Sequence, residues 1–201
     1  MKPIKIAKVA TSDMSIALLL LGQIKRLQEM GYEVTAVCSP GPWVEEIKKK
    51  GIKVETVTMS REINLFQDIK SLFALYQCFR KHRFDVVHTH TPKAGLLGPI
   101  AAKLAKVPTV IHTVHGFLCH DKTPRMQRYV FWLFEKITAL FSDYLLLQSR
   151  EDIRRAVEWR ICHSKKLHYL GNGIDPSFFS PDLFEKSRIK DKLGFNKKIG
   201  H

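Results

Sequence analysis

Two hydrophobic periods alternate along the 201-residue chain. Residues 4–10, 33–38, 52–58, 85–90, 109–115, 143–147 and 166–170 are short apolar runs, most of them rich in Val, Ile and Thr, and read as strands. Between them, residues 15–30, 42–50, 64–82, 94–106, 125–141 and 150–159 repeat their apolar positions at helical spacing. In the long segment 64–82, Leu65, Ile69, Leu72, Phe73, Tyr76 and Phe79 fall on one side. The polar turn Thr11-Ser12-Asp13 leads into the first helix, with a cap near Asp13 or Ser15 and Gly31 as its stop. Pro42 falls in the first turn of the second helix, and Gly51 ends it. Such β-α alternation predicts an α/β fold: a doubly wound, mainly parallel, Rossmann-like sheet with helices on both faces.

Residues 84–117 (FDVVHTHTPKAGLLGPIAAKLAKVPTVIHTVHGF) contain one complete βαβ unit. Open parallel sheets bind ligands in the crevice beyond the carboxyl ends of their strands. Ser12 and Asp13 follow the first strand, His90, Thr91, Lys93 and Gly95 the fourth, and His115, Gly116 and Phe117 the fifth. His88 and His90 share one face of their strand, whereas His112 and His115, three apart, face opposite sides. His88, inside its strand, reads as a hydrogen-bonded core histidine, and His90 and His115, at strand ends, as ligand contacts. Backbone N–H groups at the helix start near Lys93 and Gly95 favour a phosphate or sugar oxygen. The competing reading leaves Lys93 in solvent and gives Gly95 the task of opening the helix. In the segment that joins HGF to the aromatic helix, Lys122, Arg125 and Arg128 mix with Tyr129, which suits a membrane-headgroup interface or a plain solvated loop.

VVHTHTPKAGLLG followed by VIHTVHGF, with LGNGID at residues 170–175, resembles the amino-terminal half of a family 4 retaining glycosyltransferase, in its bacterial capsule and exopolysaccharide branch. The resemblance runs over nearly the whole chain. It implies one half of a GT-B fold: residues 1–180 as an acceptor-side domain, and residues 181–201 as a charged helix and linker toward a donor-binding domain that the chain does not include. It further implies that His115 lies beside the transferring sugar and plays the catalytic part. Ser12, Asp13, His90, Thr91, Lys93, Gly95, Gly116, Phe117 and Asn172 would then surround the acceptor. The donor would be a nucleotide sugar, a UDP-sugar, held mainly by the other half, where the family carries an E-x7-E pair that is absent here. The acceptor would be a glycan or a sugar on a polyprenyl diphosphate, and the isolated chain would be inactive.

Composition narrows the alternatives. The formal net charge of +14 is spread along the chain, which favours anionic surfaces or phosphorylated ligands without naming one. No helix-turn-helix, zinc-finger or RNA-binding signature accompanies it, so nucleic acid is not the expected partner. Cys38, Cys78, Cys119 and Cys162 show no CxxC spacing, as expected of free thiols in a reducing compartment. Asp13 interrupts the only stretch resembling a signal peptide, and no apolar run approaches the ~18 residues of a membrane span. A cytoplasmic location, peripheral at the inner face of the cell membrane, is expected. GxxxxGK[ST], GxGxxG and GxSxG are all absent, which removes the P-loop, dinucleotide and nucleophile-elbow readings. No metal site is assigned, because the histidines offer at most three convergent ligands without a carboxylate. Two other classes stay open: a non-catalytic binding domain for anionic lipid or carbohydrate, and a metal hydrolase built on the histidines.

Overall fold

Seven parallel strands form one sheet in the order β3-β2-β1-β4-β5-β6-β7. They are β1 (Lys5–Val9), β2 (Glu33–Cys38), β3 (Lys53–Thr56), β4 (Val86–Thr89), β5 (Thr109–Val114), β6 (Tyr144–Leu147) and β7 (Leu167–Tyr169). The computed structural model describes residues 2–60, 62–117, 123–171 and 173. The strand order reverses between β1 and β4, the switch point at which doubly wound sheets open a crevice. Register places Val9 opposite Thr89, and Thr89 opposite His112, so the carboxyl ends of β1, β4 and β5 lie together.

Helices cover both faces. On one face α1 (Asp13–Ser15), a π-helical turn (Ile16–Leu20) and α2 (Leu21–Glu29) run on as a single rod, joined by α3 (Val44–Lys49). Ile16, Leu20 and Ile24 from this rod pack with Ile6, Val34 and Ala36 of the strands. On the other face α4 (Leu65–His82) and α5 (Pro92–Leu104) bury Leu75, Phe79, Leu97 and Ala101 against Ala7, Val9, Val87 and Val110. Further along that face, α6 (Arg125–Phe141) and α7 (Arg150–Glu158) enclose a smaller cluster with Val114, Leu145 and Leu147.

Three local details differ from the sequence reading. The first helix is capped by Ser12, whose hydroxyl accepts from the Ser15 N–H at 3.3 Å. The second starts only at Val44, because the Trp43 N–H is drawn to Asp13 Oδ2 at 2.7 Å. In α4 the buried line is Ser71, Leu75, Cys78 and Phe79, while Leu65, Ile69 and Phe73 are exposed. That helix carries more apolar residues than the stripe facing the sheet and α5 can cover, so the apolar side of the periodicity is only partly the packed side.

Candidate functional site

Three strand ends build the crevice floor. Thr91 leaves β4 with φ +67°, ψ 147°, a conformation that costs a β-branched residue on the order of 1–3 kcal/mol. Thr11 holds it there: its N–H donates to Thr91 Oγ1 at 3.0 Å, and the two hydroxyls meet at 2.8 Å. Asp13 is buried and spends its carboxylate on the backbone, accepting from Met14 N–H at 2.8 Å and Trp43 N–H at 2.7 Å. Gly41 lies so close to Asp13 that no side chain fits there.

Above this floor runs a row of rings. His88 and His90 stack with centroids 4.3 Å apart, and His90 Nδ1 meets His115 Nε2 at 3.1 Å. His88 is anchored by Lys8, a buried lysine in the central strand, whose Nζ reaches His88 Nδ1 at 2.9 Å and Gln23 Oε1 at 3.2 Å. With Lys8 donating to Nδ1, the ring carries its proton on Nε2 and donates to Thr113 Oγ1 at 2.7 Å. Burial lowers the Lys8 pKa to about 8. Burial first, then the field of Lys8 and the neighbouring imidazoles, holds His88 and His90 well below the ordinary histidine range. His115 is lowered mainly by burial, opposed by its hydrogen bond to the Gln148 side chain. Both rings of the His90–His115 pair are therefore neutral at neutral pH. The pair runs from a buried residue, His90, to an exposed one, His115, and His90 Nε2 is sealed from solvent without a hydrogen-bond partner. A neutral imidazole at the mouth of a crevice can accept a hydroxyl proton or fix a hydroxyl in place.

The remaining expected site residues divide. His90, Thr91 and His115 come together at the crevice, with Ser12 beside the Thr11 turn. Gly116 has φ +116°, the backbone freedom needed where the chain turns off β5. Lys93 does not offer a free cation: its ammonium is buried and bonded to both oxygens of Asp68 at 2.7 and 2.8 Å. Gly95 does not open α5, which begins at Pro92. It lies against the His112 ring, leaving no room for a Cβ, while His112 Nδ1 meets Thr89 Oγ1 at 2.9 Å on the sheet face opposite His115. Phe117 turns inward, buried, with its ring 5.8 Å from that of Trp159. Arg125 and Tyr129 are exposed at the start of α6, with Arg128 half-buried between them. Lys122 and Asn172 lie outside the described residues, as does the linker expected at residues 181–201. Sequence reasoning missed Lys8, Gln148 and Asp68. Only Lys8 left a signal, a lysine inside the apolar run of a central strand.

A histidine-based hydrolase does not fit this arrangement. His88 is spent on Lys8 and Thr113 and His112 is bonded to Thr89 on the opposite face, which leaves only the two imidazoles of His90 and His115 together. The geometry is that of a doubly wound α/β protein with its histidine pair at the switch point of the sheet. Comparison with known proteins gives the class its family: the chain matches Glycosyltransferase Family 4 over residues 19–178 and belongs to it. It is 31% identical over 86% of its length to the UDP-Gal:alpha-D-GlcNAc-diphosphoundecaprenol alpha-1,3-galactosyltransferase of Escherichia coli, covering 45% of that protein. Identity is 32% to the capsular polysaccharide biosynthesis glycosyltransferase CapM of Staphylococcus aureus, over 96% of this chain and 50% of CapM. The Anabaena protein Alr3699/HepE, solved in complex with UDP and glucose, superposes with a TM-score of 0.69 at 17% identity, over 95% of this chain and 50% of that one. The chain thus spans about half the length of the curated relatives it matches, and its sheet is the fold of one half of a GT-B architecture. Among the described residues, no helix is long and apolar enough to cross a membrane.

Proposed function

We propose that this chain is the acceptor-side half of a retaining glycosyltransferase that moves a sugar from a UDP-sugar to a glycan or polyprenyl-diphosphate-linked acceptor in bacterial polysaccharide synthesis. The observation that carries the reading is the neutral His90–His115 pair at the open switch point of a family 4 sheet. Transfer with retention demands that donor and acceptor be held on one face while the nucleotide diphosphate departs, a task of positioning and electrostatics. His115, held by His90 and Gln148, is placed to take or orient the acceptor hydroxyl. The strained Thr91 turn keeps the crevice floor fixed during that step. Charge on the leaving diphosphate falls to cations of a donor-binding half, and the chain alone is inactive.

An apolar and basic surface supports a lipid-linked acceptor at the inner face of the membrane. Leu65, Phe66, Ile69 and Phe73 of α4 are exposed beside Lys70, and Met126 and Tyr129 of α6 are exposed beside Arg125. Apolar side chains would enter the headgroup boundary, while each basic residue adds on the order of 1 kcal/mol of attraction to anionic lipid. The decisive assay joins the chain to a family donor half and supplies UDP-sugars with a short prenyl-diphosphate-linked sugar. Sugar transfer that needs both halves supports the reading; turnover by this chain alone, or none from the joined protein with any sugar acceptor, overturns it.

A further inference from the structure

Three metal-ligating side chains converge at the amino-terminal edge of the sheet, the end away from the crevice. Lys5, Glu33 and Lys53, the first residues of β1, β2 and β3, line an open surface pocket of about 410 Å³ there, with Glu55 of β3 and His82 of α4. Cys78 lies one helical turn before His82, and the i, i+4 spacing sets both on the same side of α4. One ligand atom from each of Glu55, Cys78 and His82 lies within 4.8 Å of the other two. Tetrahedral zinc, with bonds of about 2.0–2.3 Å, sets its donors roughly 3.3–3.8 Å apart, so small rotamer changes close this set around one ion.

Ion pairing alone explains the cluster poorly. His82 Nε2 comes within 2.9 Å of Glu55 Oε1 but outside hydrogen-bond geometry. Lys81 reaches the same oxygen at 3.6 Å with its side chain mostly in solvent, so it neutralises Glu55 weakly. The Phe84 ring stacks on that of His82, with centroids 5.4 Å apart, and fixes the direction of its nitrogens. Cys78 is buried, whereas the side chains of His82 and Glu55 are 26% and 35% exposed. An ion can therefore enter from the pocket as the Glu55 carboxylate swings, with water as its fourth ligand. Calcium and magnesium take oxygen ligands, whereas a thiolate, an imidazole and a carboxylate match zinc. We propose that Glu55, Cys78 and His82 bind a zinc ion that ties the last turns of α4 to β3, the thiol giving its proton to water. β3 is hydrogen-bonded on one side only, to β2, so a clip there holds the edge of the sheet. The site is structural and independent of the transferase reading, since His115 lies at the other end of the strands.

Zinc titration of this chain under reducing conditions, in competition with a chromogenic chelator, tests it. About one zinc ion per chain is expected, with a dissociation constant of about 1 μM or tighter. Zinc in hundredfold excess over that constant should raise the melting temperature by roughly 5 °C or more. Cobalt in its place should give a thiolate-to-metal absorption band that Cys78→Ser abolishes. His82→Gln and Glu55→Gln, at partly exposed side chains, should weaken zinc binding about tenfold or more, and they stand as the test if Cys78→Ser fails to fold. Cys162→Ser, at a cysteine outside the set, should leave the band and the melting shift intact. No zinc held against the chelator overturns the proposal. So does a cobalt band that survives Cys78→Ser or vanishes in Cys162→Ser, or a zinc affinity unchanged in both His82→Gln and Glu55→Gln.

Discussion

The two faces of the sheet at β4 and β5 carry similar residues and use them differently. On the α5 face, His112 is packed against Gly95 and bonded to Thr89, and the Lys93 charge is closed by Asp68. These groups are matched and enclosed, and they stiffen the join between helix and strand. On the opposite face, the chain of contacts from Lys8 through His88 and His90 reaches an exposed imidazole at His115. Among the described residues, the sealed polar atoms include Glu135 Oε2 on the first face and His90 Nε2 on the second.

The largest expected effect tests the closed face. Asp68→Asn leaves the Lys93 ammonium buried without its counter-charge and should cost roughly 3–5 kcal/mol in urea unfolding. The double variant Asp68→Leu/Lys93→Met should recover most of that loss. A neutral Asp68→Asn would instead return Lys93 to the crevice as a usable cation.

Next comes acid sensitivity on the same face. Burial first, then the field of His115, lowers the His112 pKa to about 4, against an opposing hydrogen bond with Thr89. Because the folded value lies below the unfolded one near 6.5, the stabilising contribution is complete above pH 6.5 and is lost as pH falls toward 4. Its size is on the order of 3 kcal/mol. His88 and His90 shift in the same direction and steepen the wild-type curve. Urea midpoints recorded across that window should fall more steeply for the wild type than for His112→Asn, and parallel curves would refute the assignment.

The open face predicts a separation of activity from stability. In the complete enzyme, His115→Ala should lower turnover about 100-fold or more, the scale for one positioned polar group in a water-poor site, with little change in melting temperature. A large melting loss with turnover intact would make His115 structural and erase the difference between the faces. The smallest effects come from two glycines. Gly95→Ala drives a methyl into the His112 ring and should cost roughly 1–3 kcal/mol. Gly22→Ala, in α2 with open space around it, should gain about 0.4–1 kcal/mol, and melting curves of the two variants should therefore shift in opposite directions.

The order of strands and helices, the parallel sheet and the crevice at its carboxyl edge were all readable from residue patterns. Strand periodicity of two is local, so it also placed His88 with His90 and separated His112 from His115 before any contact was known. Helical periodicity showed which α4 residues share a side. It could not say that Leu65, Ile69 and Phe73 are exposed, because that depends on how much of the helix the sheet and α5 cover. The partners of Asp13, Lys93 and Lys8 lie 30, 25 and 80 residues away, at Trp43, Asp68 and His88. No local pattern encodes such pairings. Sequence determined which residues share a face; only the packed structure decided what each face meets, since that is set by contacts between segments far apart along the chain.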